Sequence, residues 1–187
     1  MREIYLHQLN KTLRLFLSAF LISLTVGVSL GLVFLFHTTS FNKDVTTEKL
    51  IEADNQIEED FGIDESESKT DGELLMTTHN HIIGFSFIFF FVGGIFYFNS
   101  TINGFWKMFF LVEPILSTIL SFGSLWGVRL LNESFIYVTI ISSIIMYFSL
   151  YFMVSISLFE LLLKQRAYSH TFYLSVFFYY CAQQRLL

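Results

Sequence analysis

Four long apolar stretches constrain the fold of this chain more than any other feature of its sequence. They cover about residues 13–36, 81–98, 108–131 and 135–163. Each is close to or above the roughly 20 apolar residues that a helix needs to cross the hydrocarbon layer of a membrane. The chain is also 53% hydrophobic and only 14% charged. Length and composition together predict an integral membrane protein.

These stretches predict an all-α protein, with residues 1–187 forming one antiparallel bundle of four transmembrane helices. Small residues repeat every four positions along the first stretch, at Ser23, Gly27 and Gly31, and this spacing lets helices approach closely. Similar residues in the second and third stretches are Gly84, Gly93, Gly94, Ser117, Ser121, Gly123, Ser124 and Gly127. The pattern favours a tight bundle, and homodimerisation is the alternative use of the same stripes.

The positions of the cations predict the orientation, because Lys and Arg in short flanking segments resist transfer across a membrane. With four spans, one side receives Arg2, Lys11, Arg14, Lys107, Lys164, Arg166 and Arg185. We expect that side, with both termini, to be cytoplasmic, in a bacterial inner membrane. The first stretch follows cations as a secretory signal does, but it is too long and no small-residue cleavage site follows it. We therefore expect it to remain as an anchor.

The outer loop, residues 37–80, is polar and acidic. It does not fit a calcium loop, because Asp60, Asp64 and Asp71 leave the glycine misplaced and the final glutamate missing. A solvated loop is expected instead, with a short surface helix over 46–60. The tail, residues 164–187, contains an aromatic run over 172–182 that is too short to span. This run predicts an interfacial helix or a docking surface for a partner subunit.

Two histidines precede the second apolar stretch, in the order His79-Asn80-His81. Asp71-Gly72-Glu73 reads as a helix start, which places both histidines inside a helix. Residues two apart on a helix point about 200° from one another, so the pair then cannot easily share one metal ion. If the helix starts at Thr77 or Thr78 instead, the pair can converge from a non-helical turn. The sequence leaves both starts open.

Topology brings other polar groups to the same outer level. His37 ends the first stretch there, and Arg129 ends the third, four residues before Glu133 and able to pair with it along one helical face. His37, His79, His81 and Arg129 form the hypothetical site: histidines as ligands of one haem b or one transition-metal ion, and Arg129 as partner of an anionic group. The alternative is interfacial histidines and an arginine satisfied by water and lipid headgroups.

Glu113-Pro114 lies within the third stretch, about 9 Å from its cytoplasmic end by the helical rise. Proline there frees a backbone carbonyl and kinks the helix. Glu113 is either a proton-relay carboxyl or a paired or protonated group, with Lys107 and Lys164 as candidate partners. We expect it to face the bundle interior. The sequence offers no polar ladder from Glu113 to His81.

The segment from Glu73 to His81, the glycines after it, and Phe122-Gly123-Ser124-Leu125-Trp126 with Arg129 carry a resemblance. They look like a group of small bacterial four-span membrane proteins of unassigned function. The His-x-His pattern is also similar to histidine pairs in haem-bearing membrane subunits of the haem-copper oxidase type. The additional intramembrane histidines of those subunits are missing here. The resemblance implies the four-span fold and, at most, one haem or metal.

Other functions are disfavoured by the sequence. Phosphate loops, Cys-x-x-Cys pairs and nucleophile elbows are missing, and a net charge of −5 argues against nucleic-acid binding. We therefore expect no soluble-type enzyme. Two functions remain: an accessory or structural subunit of an inner-membrane assembly, with a membrane protein or a second copy as partner, and a haem- or metal-binding redox or sensor protein.

Overall fold

The computed structural model describes residues 5–39 and 71–164, and these two ranges are almost entirely helical. A 3₁₀ turn, Leu6–Gln8, precedes helix α1, Lys11–Thr39. Helices α2, Asp71–Tyr97, α3, Phe105–Leu130, and α4, Phe135–Phe159, follow, and α4 continues into a π-helical turn, Glu160–Lys164. The described residues contain four helices long and apolar enough to cross a membrane. The prediction of an all-α, four-span membrane protein is confirmed.

Helix α2 begins ten residues before the apolar stretch that predicted it. These first ten residues are more polar but pack against the bundle. Leu74 is 1% exposed and forms a small core with Val128 and Ile136. The indole N–H of Trp126 also donates to the hydroxyl of Thr78 at 3.1 Å. Hydropathy detects only the part of a helix that lies in lipid, so it missed this extension.

Helices α3 and α4 form the tightest pair. The turn between them is closed by the amides of Leu131 and Asn132, which both donate to the Gly127 carbonyl at 3.0 Å. A Cβ at Gly127 would lie 2.6 Å from Cδ1 of Phe135, so only glycine lets the two helices approach this closely. Across the interface, Ser121 pairs with Ser143 at 2.6 Å and Ser124 with Thr139 at 2.7 Å. Pairing positions rise along α3 as they fall along α4, so the two helices are antiparallel.

Helix α1 packs loosely on the other three. Only 6% of its most apolar window is buried. Its N-terminal half contacts the other helices: Leu21 is fully buried, and the Arg14 guanidinium donates to the Leu161 carbonyl. Farther along α1, the hydroxyls of Ser29 and Tyr151 lie 2.8 Å apart. Beyond that point large apolar side chains are exposed, as with Phe34 at 71%.

The small-residue stripe of α1 does not pack within the described residues, contrary to the sequence interpretation. A Cβ built at Gly27 or Gly31 would meet nothing within 4 Å, and Ser23 is exposed. Gly84 and Gly94 of α2 are equally open, whereas Gly93 lies against Leu111. Spacing shows that a close approach is possible, but it does not show which helix approaches.

The segment before α1 closes one end of the bundle. Leu6 is 1% exposed, and its amide donates to the Phe98 carbonyl at 3.0 Å, which ties the start of α1 to the end of α2. The amide of Leu13 donates to the side chain of Asn10 at 2.8 Å and caps α1. Gly104, with φ of 65°, provides the left-handed residue in the turn from α2 to α3.

Several expectations fall outside the described residues. These are most of the acidic loop, the calcium-loop test except Asp71, the short helix over 46–60, and the interfacial helix over 172–182. They stay predictions.

Candidate functional site

Both histidines of the His-x-His pattern lie inside α2, eight and ten residues after its first described residue. The alternative start at Thr77 or Thr78 is therefore wrong. Two positions along a helix place His79 and His81 about 200° apart around the axis, so they cannot both reach one ion. Each is exposed on its own side of the helix.

His81 has the more defined environment. Its Nδ1 lies 2.8 Å from the Thr77 carbonyl oxygen, one turn earlier. Since a carbonyl only accepts, this hydrogen bond places a proton on Nδ1, and the neutral form of the ring would then present a lone pair at Nε2. The ring also packs on Phe122, with centroids 4.8 Å apart, and less closely on Phe85 at 6.3 Å. His81 is thus an oriented imidazole beside an aromatic surface.

The other two residues of the predicted site are placed differently. His37 is exposed near the C-terminal end of α1, where its ring contacts Phe36. Arg129 is mostly buried and pairs with the carboxylate of Asp71 at 2.8 Å. Glu133 cannot share a helical face with Arg129, because α3 ends at Leu130. The salt bridge therefore joins the two helices instead of running along one.

Over residues 5–39 and 71–164, no three His, Cys, Asp or Glu side chains form a group that could hold a metal ion. The structure brings Arg129 together with Asp71, at the end of the bundle where α2 begins. His79 and His81 lie on different sides of α2.

Glu113 lies at the α3–α4 interface and is partly buried. One carboxylate oxygen accepts from the hydroxyl of Ser117, and the other from Ser149 of α4 at 2.5 Å. Lys107 and Lys164, the partners considered from sequence, make other contacts: Lys107 donates to the carbonyls of Tyr97 and Asn99, each at 2.8 Å. The hydroxyl partners of Glu113 come from both helices of the pair.

A ladder of hydroxyl groups continues from Glu113 along the interface, which sequence reasoning did not find. Its rungs are Ser117 and Ser149 at Glu113, then Thr118 against the Met146 sulfur, Ser121 with Ser143, and Ser124 with Thr139. The serines of α3 had been interpreted only as small residues. Their partners on α4 depend on the helix register, which one sequence does not reveal.

Sequence reasoning also missed a second carboxylate, Glu160, at the C-terminal end of α4. Its side chain is fully buried. One oxygen accepts from the Ser100 amide at 2.7 Å, the Ser100 hydroxyl at 2.9 Å, the Thr101 hydroxyl at 2.6 Å and Lys164 at 3.3 Å. The signal was available: Glu160 is the only acid in its apolar stretch, four residues before a lysine.

Comparison with known proteins gives one match. The model of a transmembrane helical domain family, Aq_1264_TM, covers residues 53–168. The chain belongs to this family. The Aq_1264_TM domain contains α2, α3, α4 and the π-helical turn, whereas α1 precedes the matched range. No curated protein and no solved structure matches the chain. The family description agrees with membrane-spanning helices and gives no activity.

Proposed function

We propose that the protein is an accessory or structural subunit of an assembly in the bacterial inner membrane. The observation that carries this proposal is the free face of α1. Ser23, Gly27 and Gly31 form a small-residue stripe on α1 that the other described helices leave uncovered. Lipid chains do not require such a stripe, whereas a second helix packs closely on it.

The polar groups of the spans support the same function. Glu113 is engaged by Ser117 and Ser149, and Arg129 by Asp71, so these groups tie helices of the chain to one another. A bundle held together in this way provides a rigid support for the outward face of α1.

The proposed occupant of the α1 stripe is a transmembrane helix of another membrane protein. Helix association in lipid depends on van der Waals packing, because lipid tails are as apolar as the side chains they replace. The exposed neighbours Ile22, Val26 and Leu30 would flank the contact and add apolar area on its edges.

The test compares Gly27→Leu with Val26→Leu, expressed at native level and purified in a mild detergent. Both changes add leucine to exposed positions of α1, but only the first fills the stripe. We expect wild type and Val26→Leu to co-purify with the same membrane protein, and Gly27→Leu to lose it by at least about tenfold, the equivalent of 1.4 kcal/mol.

Two results would contradict the subunit function. Equal recovery of the partner by both variants would show that the stripe is not the contact. A purified wild-type protein that is a homodimer, which Gly27→Leu converts to a monomer, would assign the stripe to self-association.

The proposed orientation places both termini in the cytoplasm. The bundle carries Lys11, Arg14, Lys107 and Lys164 at one end, and Asp71, Glu73 and Glu133 at the other. Arg129 is the exception, and its salt bridge with Asp71 neutralises it at the acidic end. This distribution supports a cytoplasmic location for the basic end.

A haem- or metal-binding redox or sensor protein is the second candidate function. The observation that favours it is the contact between His81 Nδ1 and the Thr77 carbonyl, since a hydrogen bond at Nδ1 is typical of imidazoles that ligate through Nε2. His37, at the same end of the bundle, is the candidate second ligand. A bound haem or metal would supply redox or sensing chemistry in an apolar surround.

An absorption spectrum and elemental analysis of detergent-purified protein test this candidate. We expect a Soret band or one metal ion per chain, lost in His81→Ala and retained in His79→Ala. A protein without either signal, whose His81→Ala variant keeps its fold, would remove the candidate.

A further inference from the structure

Four buried polar atoms lie on the contacting segments of α1 and of α4 with its π-helical turn. They are Nε of Arg14, the hydroxyl oxygens of Ser18 and Ser157, and the second carboxylate oxygen of Glu160, and none has a hydrogen-bond partner among the described residues. All four residues are at most 8% exposed. A membrane protein rarely leaves one such atom unsatisfied, because each costs about 1–3 kcal/mol.

The four residues lie on two segments that contact each other. Arg14 and Ser18 are one turn apart on α1, and Ser157 and Leu161 are one turn apart on the facing segment. The hydrogen bond from the Arg14 guanidinium to the Leu161 carbonyl joins the two. The π-helical turn begins at Glu160, and such turns displace a residue from the regular helix, which here directs the carboxylate inward.

The chemistry of the four atoms selects the ligand. Arg14 Nε only donates, Oε2 of Glu160 only accepts, and the two hydroxyls do both. A metal cation is repelled by Arg14, and an anion is repelled by Glu160. A small neutral molecule that both accepts and donates hydrogen bonds fits all four, and water is the smallest such molecule.

We propose that this junction is a water-binding site, in which buried water bridges Arg14 of α1 to Glu160 and Ser157 of the fourth span. In this proposal the water enters from the basic end. Ser157 lies about 10 Å into the bundle from Lys164 by the helical rise, and His7, whose Nδ1 is 3.9 Å from Oε2 of Glu160 and whose side chain is 18% exposed, lies at the edge of the site. Deeper in the bundle, Phe110 stacks on Phe152 and Met153 is buried in the same apolar cluster, and the proposed site ends there.

Cysteine reactivity reports whether water and a small polar reagent reach the site, because only the thiolate reacts with methyl methanethiosulfonate and a thiolate forms only where water reaches it. The variants are Ser157→Cys and Ser18→Cys, with Met153→Cys as the matched control, all in a Cys181→Ser background. Met153 is as buried as Ser157 and lies about one turn deeper on the same helix. We expect both serine positions to react at least about tenfold faster than position 153 in native membranes.

Rates at positions 157 and 18 as slow as at position 153 would overturn the proposal. So would equally fast reaction at all three positions, because that result would reflect opening of the whole junction. Monodispersity in detergent confirms that each variant is folded, and the two serine positions on different helices report independently.

Discussion

Glu113 and Glu160, both in transmembrane segments, are stabilised by different groups. Glu113 accepts hydrogen bonds from two hydroxyl groups, on α3 and α4. Glu160 accepts from a backbone amide, two hydroxyls and the ammonium of Lys164. Hydroxyl partners suit either protonation state, whereas an ammonium and an amide favour a carboxylate. Glu113 therefore serves helix association, and Glu160 anchors charge at the basic end.

We expect Glu113→Gln to be tolerated and Glu113→Leu to lower the stability of the bundle. Glutamine keeps a carbonyl that can accept from Ser149, whereas leucine leaves the hydroxyls of Ser117 and Ser149 without this partner. The expected loss is about 1–2 kcal/mol for leucine, from two hydrogen bonds of the strength measured in membrane proteins. Folded yield and the midpoint of thermal unfolding in detergent measure it.

Val112→Leu, an exposed change on the same helix, is the control. If Glu113→Gln and Glu113→Leu unfold at the same midpoint as this control, the hydroxyl contacts contribute nothing to stability.

At the residue scale, the sequence identified single residues but rarely their partners. Glu113 was expected to face the interior, and its contacts with Ser117 and Ser149 agree with that. Lys107 and Lys164 were the only partners that the sequence could suggest, beside a proton-relay or protonated Glu113, because charge is visible in a sequence and helix register is not. Glu160 was missed because it lies near the end of a long apolar run, where hydropathy averages conceal one acid.

At the element scale, close packing is concentrated between α3 and α4. Gly127 faces Phe135 so closely that no side chain fits, whereas Gly123, one turn earlier on α3, has nothing within 4 Å of a built Cβ. The two glycines look equivalent in the sequence. Their different surroundings follow from the turn over residues 131–134, which brings the start of α4 against the end of α3.

The substitutions Gly127→Ala and Gly123→Ala separate packing from helix propensity. Gly127→Ala should destabilise the protein by about 1–3 kcal/mol, because Phe135 must move. Gly123→Ala should be neutral or stabilising by up to about 1 kcal/mol, since alanine favours a helix. Thermal unfolding of both variants in the same detergent gives the comparison. Equal midpoints would show that the approach of Phe135 to Gly127 is not tight.

The sequence predicted that the four helices exist, but it did not predict where α2 begins. The four apolar stretches correspond to α1 to α4 because lipid crossing requires length and hydrophobicity, which a sequence shows directly. The first ten residues of α2 are helical because Leu74 and Thr78 contact α3 and α4. Such contacts between elements distant in sequence are not visible before folding.

At the scale of the whole molecule, the described residues form a three-helix unit to which α1 is loosely attached. The family match covers α2, α3 and α4, and α1 contacts them mainly through its N-terminal half. The sequence predicted four spans but could not show whether the stripe of α1 faces the bundle or the lipid. The orientation of the chain in the membrane decides which side the basic and acidic ends face, and therefore from which side a partner of the uncovered stripe is reached.

The most direct test of this account is therefore the orientation of the two short turns. Glu133→Cys lies in the exposed turn between α3 and α4, and Asn103→Cys in the exposed turn between α2 and α3, each in a Cys181→Ser background. In sealed cells, a membrane-impermeant maleimide should label position 133 and leave position 103 unlabelled until the membrane is permeabilised. Labelling of position 103 alone in sealed cells would contradict the orientation, and labelling of both positions would contradict a hairpin that crosses the membrane between them.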